Sequence, residues 1–205
     1  MNYKCFNAPS TYVGIALILA SCLSTLLQED WVKGFKESIR HLTCWYVILA
    51  SVYLTFVCVL PVQVAAILGI GLVSLSFVIL FGRVSAIPHV DPKNKWAAPD
   101  IICHYIVPLT MVGFMLTGTM NIQHADSSAL WKGLLVCIGI LTLWFGITLV
   151  CIKCGLEWPY SHATTNPFHK DKKRWLRLAL YIWIGVFSYI LTALLATLIA
   201  RSSVK

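Results

Sequence analysis

The chain has 205 residues, of which 59% are hydrophobic and 12% are charged. A water-soluble domain carries charge on roughly a quarter of its residues, so the composition excludes an ordinary soluble fold and a disordered chain. The net charge of +8 comes from basic residues in short segments between apolar runs. That pattern is typical of membrane topology and of contact with anionic lipid head groups, and it does not indicate nucleic-acid binding.

Six apolar runs are long enough, or nearly so, to cross about 30 Å of hydrocarbon as helices. They do not alternate between polar and apolar residues as the strands of a membrane barrel do. We therefore predict an all-α integral membrane bundle of about six transmembrane helices, forming one domain over residues 1–205. The predicted spans are 11–27, 42–60, 62–82, 99–119, 130–152 and 175–200.

Two features of these runs bear on helix packing. The second and third runs meet at Pro61 with almost no polar linker. We predict a tight helical hairpin there, because together the two runs exceed one membrane thickness. Glycines interrupt the apolar positions at mid-depth, and we expect them to permit close helix packing. They are Gly69, Gly71, Gly113, Gly139 and Gly146.

Most of the basic residues lie in three of the segments between spans. The segments between spans one and two, three and four, and five and six carry 12 of the 16 Lys and Arg residues. Because short loops rich in Lys and Arg stay in the cytoplasm, we expect these segments to be cytoplasmic. Both termini should then lie on the opposite side of the membrane.

Ionisable groups at membrane depth are functional candidates, because each costs free energy to place there. His104 lies about one turn inside the fourth predicted span, and Asp100 precedes it by four residues. That spacing places both side chains on one face of a helix. A carboxylate there can accept the imidazole N–H and fix the tautomer, which leaves the other ring nitrogen as a base.

Thr43 lies at the start of the second predicted span. The second and fourth spans run in the same direction, so Thr43 and His104 enter the membrane from the same basic side at similar depth. A hydroxyl becomes a useful nucleophile when a neighbouring base takes its proton. The simpler interpretation is that Thr43 caps a helix and His104 is a structural residue.

Three short motifs, in this order along the chain, resemble the androgen-induced and androgen-dependent six-span membrane proteins and related bacterial six-span proteins. The first runs from His41 to Leu49, the second is His104-x-x-x-Pro108, and the third runs from Gly155 to Tyr160. The resemblance implies a threonine hydrolase that cleaves fatty acid esters of hydroxy fatty acids within the membrane. It assigns the essential pair to Thr43 and His104, and it implies no cofactor or metal.

One position departs from the family pattern. Three residues after the threonine, the family often has a small polar residue such as Asn, whereas this chain has Tyr46. An Asn there could have donated a hydrogen bond to an oxyanion. Because of this difference, we expect the substrate range or the activity of this chain to differ from that of the family.

The cationic residues near the predicted site are candidates for holding a substrate carboxylate. Arg40 is the first of these, with Lys95 and Arg174 as further candidates, although most such residues only determine topology. Trp158 and Tyr160 are candidates for shaping the entrance to the site. The simpler interpretation of these two is an interfacial turn with aromatic anchors.

Two other classes of function remain open from the sequence. Cys151 and Cys154 form a Cys-x-x-Cys pair at the end of the fifth span, which permits a zinc or thiol redox site. A non-catalytic multi-pass protein with a structural, regulatory or transport role is the other. Coupled transport is disfavoured, because the spans contain few charges at mid-depth.

Overall fold

A computed structural model describes residues 9–26, 41–84, 101–122, 125–156 and 174–202. Within these ranges every regular element is a helix, which confirms the all-α prediction. The helices are α1 (Pro9–Leu26), α2 (Leu42–Phe56), α3 (Val62–Val84), a π-helical turn (Ile102–Ile106) that leads into α4 (Val107–Leu116), α5 (Ser127–Lys153) and α6 (Arg174–Ser202).

The predicted ends of two helices are wrong. The second helix ends at Phe56 and not at Leu60, and a turn separates it from α3. Pro61 has no N–H to donate and disfavours a helical conformation in the residue before it, so the helix stops short of the proline. The fourth helix ends at Leu116, and Gly118 in the following turn has a left-handed φ of 76°.

Within the described ranges, three helical segments are long and apolar enough to cross a membrane, by length and composition alone. These are Val62–Arg83, Ser127–Lys153 and Ala179–Ser202. Three further apolar segments are shorter: Pro9–Ala20, Leu42–Phe56 and Ile102–Leu116. The long helices make the chain compatible with a membrane protein. Among the described residues this criterion supports three of the six predicted crossings, so the count of six is not confirmed.

The outer faces of α5 and α6 carry large apolar side chains. Trp131 on α5 is 65% exposed and Trp183 on α6 is 69% exposed. Soluble monomers rarely expose contiguous apolar surface on this scale. These faces therefore suit a lipid environment.

Consecutive helices run in opposite directions. Near Pro61, the Tyr53 hydroxyl donates to the carbonyl of Ala65 at 2.9 Å, which ties α2 to α3 and confirms the predicted hairpin. Farther along, Leu42 at the start of α2 packs with Val78 of α3 and Trp144 of α5. We call this part of the bundle the Thr43 end. It holds the start of α2, the last turns of α3 and α5, and the π turn.

Helix α3 lies at the centre of the bundle. It packs against α2, α4, α5 and α6, while α1 packs against α2. Two thirds of its apolar span is buried within the protein, against 17% for each of the spans in α5 and α6. Helix α3 also contacts the π turn.

Two of the five predicted packing glycines are at close helix contacts. A Cβ added at Gly69 would lie 2.7 Å from the Tyr53 hydroxyl, and one at Gly71 would lie 2.8 Å from a methyl carbon of Val136. The prediction is wrong for the other three, since no described residue lies within 4 Å of an added Cβ there. Those three are Gly113, Gly139 and Gly146.

Two glycines that the sequence analysis did not single out have the closest contacts. A Cβ at Gly14 would lie 2.6 Å from the backbone nitrogen of Thr55, and one at Gly133 would lie 2.8 Å from the Cβ of Ile70. These glycines let α1 approach α2 and let α5 approach α3.

Candidate active site at the Thr43 end

Thr43 is the second residue of α2. The N-cap residue is His41, with extended backbone angles (φ −88°, ψ 119°) and no capping hydrogen bond from its side chain. The simpler interpretation of the sequence, in which Thr43 is the cap residue, is therefore wrong. Its side chain is buried, with 5% of its surface exposed.

His104 lies in the middle of the π turn. The backbone N–H of Val107 donates to the carbonyl of Ile102, five residues earlier. Pro108 explains why the helix widens here: a proline cannot donate to the carbonyl four residues before it, which is that of His104, and its ring would clash with that carbonyl. Wide turns of this kind are frequent at functional sites.

The two side chains meet. The Thr43 Oγ1 and His104 Nε2 atoms lie 3.0 Å apart, within hydrogen-bond distance, although the residues are 61 positions apart in the chain. When the imidazole proton is on Nδ1, Nε2 accepts the proton of the Thr43 hydroxyl. This is the nucleophile–base geometry that hydroxyl catalysis requires.

A second buried polar pair lies close to this contact. The Tyr46 hydroxyl is 2.6 Å from the Ser76 hydroxyl, and Ser76 donates to the carbonyl of Leu72 at 2.9 Å. Because the Ser76 proton is used on Leu72, Tyr46 is the donor to Ser76. Tyr46 is completely buried, so its hydroxyl is committed to tying α2 to α3.

No known family model, curated protein or solved structure matches this chain. The functional argument therefore depends on the residues themselves. Thr43 and His104 are the two predicted site residues that the structure brings together.

The other predicted site residues lie outside the described residues. These are Asp100, Arg40, Trp158 and Tyr160, and Lys95 is outside them as well. Arg174 is the first residue of α6 and stands at the Thr43 end of the bundle.

The Cys-x-x-Cys pair lies at the end of α5. Cys151 is partly buried, Cys154 is exposed, and both are free thiols. In the part of the chain that the structure describes, no group of three or more His, Cys, Asp or Glu side chains is placed to hold a metal ion.

The π turn and the partial burial of Arg83 were not predicted from the sequence. Pro108, four residues after His104, was the available signal for a distorted turn. Arg83 had been counted only among the loop cations that set topology, whereas it lies in the last turn of α3, partly buried.

Proposed function

We propose that this chain is an intramembrane hydrolase of lipid esters, with Thr43 as the nucleophile and His104 as the general base. The observation that carries the proposal is the 3.0 Å contact between a buried threonine hydroxyl and an imidazole nitrogen from a separate helix. A hydroxyl at membrane depth usually bonds to its own helix backbone. A contact to a titratable base suits proton transfer.

The reaction is acyl transfer in two halves. His104 Nε2 takes the Thr43 proton as Oγ1 attacks the ester carbonyl, and the same proton then goes to the departing alkoxide, which leaves as an alcohol. The acyl group is now esterified to Thr43. His104 next takes a proton from water as it attacks this ester, and returns that proton to Thr43 Oγ1 as the fatty acid leaves.

The substrate class follows from the family resemblance. We propose that the chain is a threonine hydrolase of the androgen-induced and androgen-dependent type, acting on fatty acid esters of hydroxy fatty acids. In that substrate the departing alcohol is the hydroxy fatty acid, which carries a free carboxylate. The partners are then membrane lipids, and the reaction needs no cofactor.

The membrane arrangement is part of the same proposal. We place all six apolar helices across the bilayer, with the Thr43 end and the basic loops on the cytoplasmic side. Asp100 would orient His104. Arg40, Trp158 and Tyr160 would line the approach for substrate.

Probe labelling tests the proposal. A fluorophosphonate phosphonylates an activated hydroxyl and expels fluoride, so detergent-purified protein should be labelled at Thr43. Labelling should be lost in Thr43→Ala and in His104→Ala. Thr148→Ala is the matched control, because Thr148 is also a buried threonine but donates to the carbonyl of Trp144 on its own helix. This variant should label like the wild type.

A second pair of variants separates catalysis from structure. Thr43→Val keeps the shape of the side chain and removes the hydroxyl, while Thr43→Ser keeps the hydroxyl. We expect Thr43→Val to abolish labelling at a stability cost of about 1 kcal/mol, and Thr43→Ser to remain labelled. Equal labelling of the wild type, Thr43→Val and His104→Ala would overturn the proposal.

A further inference from the structure

We propose that Pro108 is a positioning residue for the hydrolase: by widening the turn before it, Pro108 directs the His104 side chain away from α3 and toward Thr43 on α2. This inference rests on the proposed hydrolase function. It gives Pro108 no contact with substrate, and it makes the π turn the feature that brings the base to its nucleophile.

One stripe of α4 faces the core. Pro108, Met111 and Met115 are all buried, and α4 packs mainly against α3, with a much smaller contact to α2. Residues four and seven apart lie on the same face of an α-helix. In an unbroken α-helix His104 would therefore continue this stripe, because it lies four residues before Pro108 and seven before Met111. Its side chain would then point to α3.

The exposed residues show that the stripe is interrupted. Ile101, seven residues before Pro108, would also lie on the buried face of an unbroken helix, yet it is 49% exposed. Ile106, five residues later, is exposed to the same extent. A spacing of five on one face matches the hydrogen bond of the π turn, from the Val107 N–H to the carbonyl of Ile102. The residues before Val107 are therefore rotated about the helix axis relative to those of α4.

His104 lies in the middle of this turn and shares part of the rotation. It is only partly buried, whereas Pro108 and Met111 are buried. The π turn contacts α2 as well as α3, and His104 Nε2 lies 3.0 Å from Thr43 Oγ1 on α2. The rotation thus explains why the imidazole meets α2 and does not continue the stripe that faces α3.

Pro108 is the residue that prevents an ordinary α-helical turn here. Such a turn would need a hydrogen bond from residue 108 to the carbonyl of His104, which proline cannot donate, and the proline ring would clash with that carbonyl. Alanine removes both obstacles. Pro108→Ala should therefore relax to an α-helical turn, with one more backbone hydrogen bond and with His104 returned to the stripe that faces α3.

The rate of fluorophosphonate labelling at Thr43, in detergent-purified protein, tests the proposal. In Pro108→Ala the rate constant at saturating probe should fall by about 100-fold, because small displacements of a catalytic group reduce rates on that scale. The probe concentration that gives half the maximal rate should not change, since Pro108 does not contact the probe. A rate constant is independent of the amount of folded protein, so partial misfolding cannot produce this result.

Pro9 provides the matched control. It is the first residue of α1, where the N–H that proline lacks would have no helical partner. Replacing it by alanine therefore adds no helical hydrogen bond. Pro9→Ala should be labelled with the wild-type rate constant.

Melting temperatures test the same contact without catalysis. Thr43→Val removes the hydroxyl and should lower the melting temperature of the wild type by about 2–4 °C. In Pro108→Ala the contact with His104 is already lost, so adding Thr43→Val should leave the melting temperature nearly unchanged. Pro108→Ala alone should melt at the wild-type temperature or above, because it gains a backbone hydrogen bond.

The outcomes separate the two proposals. Labelling of Pro108→Ala at the wild-type rate would overturn the positioning role and leave the hydrolase intact. An equal effect of Thr43→Val with and without Pro108→Ala would overturn it too, as would a Pro108→Ala variant that melts well below the wild type, since the fold itself would then require the proline. If the wild type is not labelled at all, the hydrolase function fails, and the melting temperatures alone decide whether Pro108 places His104 against Thr43.

Discussion

Hydroxyl side chains within the helices differ in the group to which they hydrogen-bond. Eight Ser and Thr side chains in the described helices donate to the carbonyl four residues earlier on the same helix, which is a common arrangement inside helices. These are Ser51, Thr55, Ser74, Ser76, Thr148, Ser188, Thr192 and Thr197. Thr43 differs, because its hydroxyl meets an imidazole from another helix. That difference gives the Thr43 hydroxyl access to a base.

The buried ring of Tyr46 should contribute more to the stability of the protein than its hydroxyl does. Tyr46→Phe removes the donor to Ser76 but leaves Ser76 bonded to Leu72, so we expect a loss of about 1 kcal/mol in the free energy of unfolding. Tyr46→Asn, which introduces the family's common residue, also removes a fully buried ring and should cost about 3 kcal/mol or more. Thermal unfolding in detergent measures both variants.

A Tyr46→Asn variant as stable as Tyr46→Phe, or more stable, would contradict this account of Tyr46. The ring would then not fill the core that the structure shows. The Tyr53→Phe variant is a useful comparison, since Tyr53 is also buried and donates to a backbone carbonyl across the same hairpin.

The sequence placed Thr43 and His104 on the same side at similar depth, because both residues stand near the starts of helices that run in the same direction. The contact itself comes from the structure. The sequence was not sufficient to predict the π turn, since the effect of Pro108 on the preceding turn depends on how the whole segment packs. It also did not predict that the Nε atom of Arg83 is buried. A basic residue at the end of an apolar run can be exposed or partly buried, and the helices that pack around it decide between the two.

At the scale of helices, the apolar runs predicted where the elements lie, while prolines and turns decided where they end. Residues 57–60 are apolar and were predicted as helical, yet they form the turn before Pro61. The closest helix contacts were harder to predict. Glycine at mid-depth is necessary for close approach, but whether a neighbour is present depends on which helices pack together.

Two glycines of α5 give a test of that packing within one helix. In Gly133→Ala the added methyl carbon would lie 2.8 Å from the Cβ of Ile70, so α5 must move away from α3, at a cost of about 1–3 kcal/mol. In Gly139→Ala nothing lies within 4 Å, and the better helix propensity of alanine should leave stability unchanged or raise it by up to about 1 kcal/mol. Thermal unfolding in detergent distinguishes the two, and similar stability for both variants would rule out the close α3–α5 contact.

Asp126 caps the N-terminus of α5, and the stability that this cap provides should depend on pH. Its carboxylate accepts a hydrogen bond from the backbone N–H of Ala129 at 2.7 Å and another from the Ser128 hydroxyl. These bonds, with that of Ala129 the larger cause, hold the pKa of Asp126 below its usual value. A carboxyl whose folded-state pKa is lowered stabilises the protein above its unfolded pKa of about 3.9. That stabilisation is lost as the pH falls through the lower, folded-state value.

We therefore expect Asp126→Ala to melt at a lower temperature than the wild type at pH 7, with the difference shrinking as the pH falls below about 4. Melting curves at pH 7 and at successively lower pH values measure it. A difference that stayed constant over this range would mean that the carboxylate does not cap the helix.

At the scale of the whole molecule, the sequence could not identify the central helix. Helices α3 and α5 are both long and strongly apolar, yet α3 is mostly buried and α5 mostly exposed. Apolar composition suits both lipid and a protein core, so it does not distinguish a lipid-facing helix from a buried one. The distinction comes from the contacts of α3 with four other helices.

Membrane topology can be tested at two positions near opposite ends of the bundle. Cys154 follows α5 at the Thr43 end, and Thr117 lies in the exposed turn after α4. In an otherwise cysteine-free protein within sealed vesicles of known orientation, a membrane-impermeant maleimide should reach Cys154 from the cytoplasmic side. It should reach the Thr117→Cys variant from the other side. Labelling of both positions from the same side would contradict the proposed six crossings.

The central position of α3 has a consequence for biogenesis. The ribosome completes α3 before it makes α4, α5 and α6, so in the proposed membrane arrangement this helix would first enter the bilayer without most of its eventual neighbours. Ser74 and Ser76 would be costly in hydrocarbon if their hydroxyls had to wait for those partners. Both donate to carbonyls of their own helix, those of Ile70 and Leu72. In the proposed arrangement, helix α3 would therefore insert as a self-sufficient unit, around which the later helices would assemble.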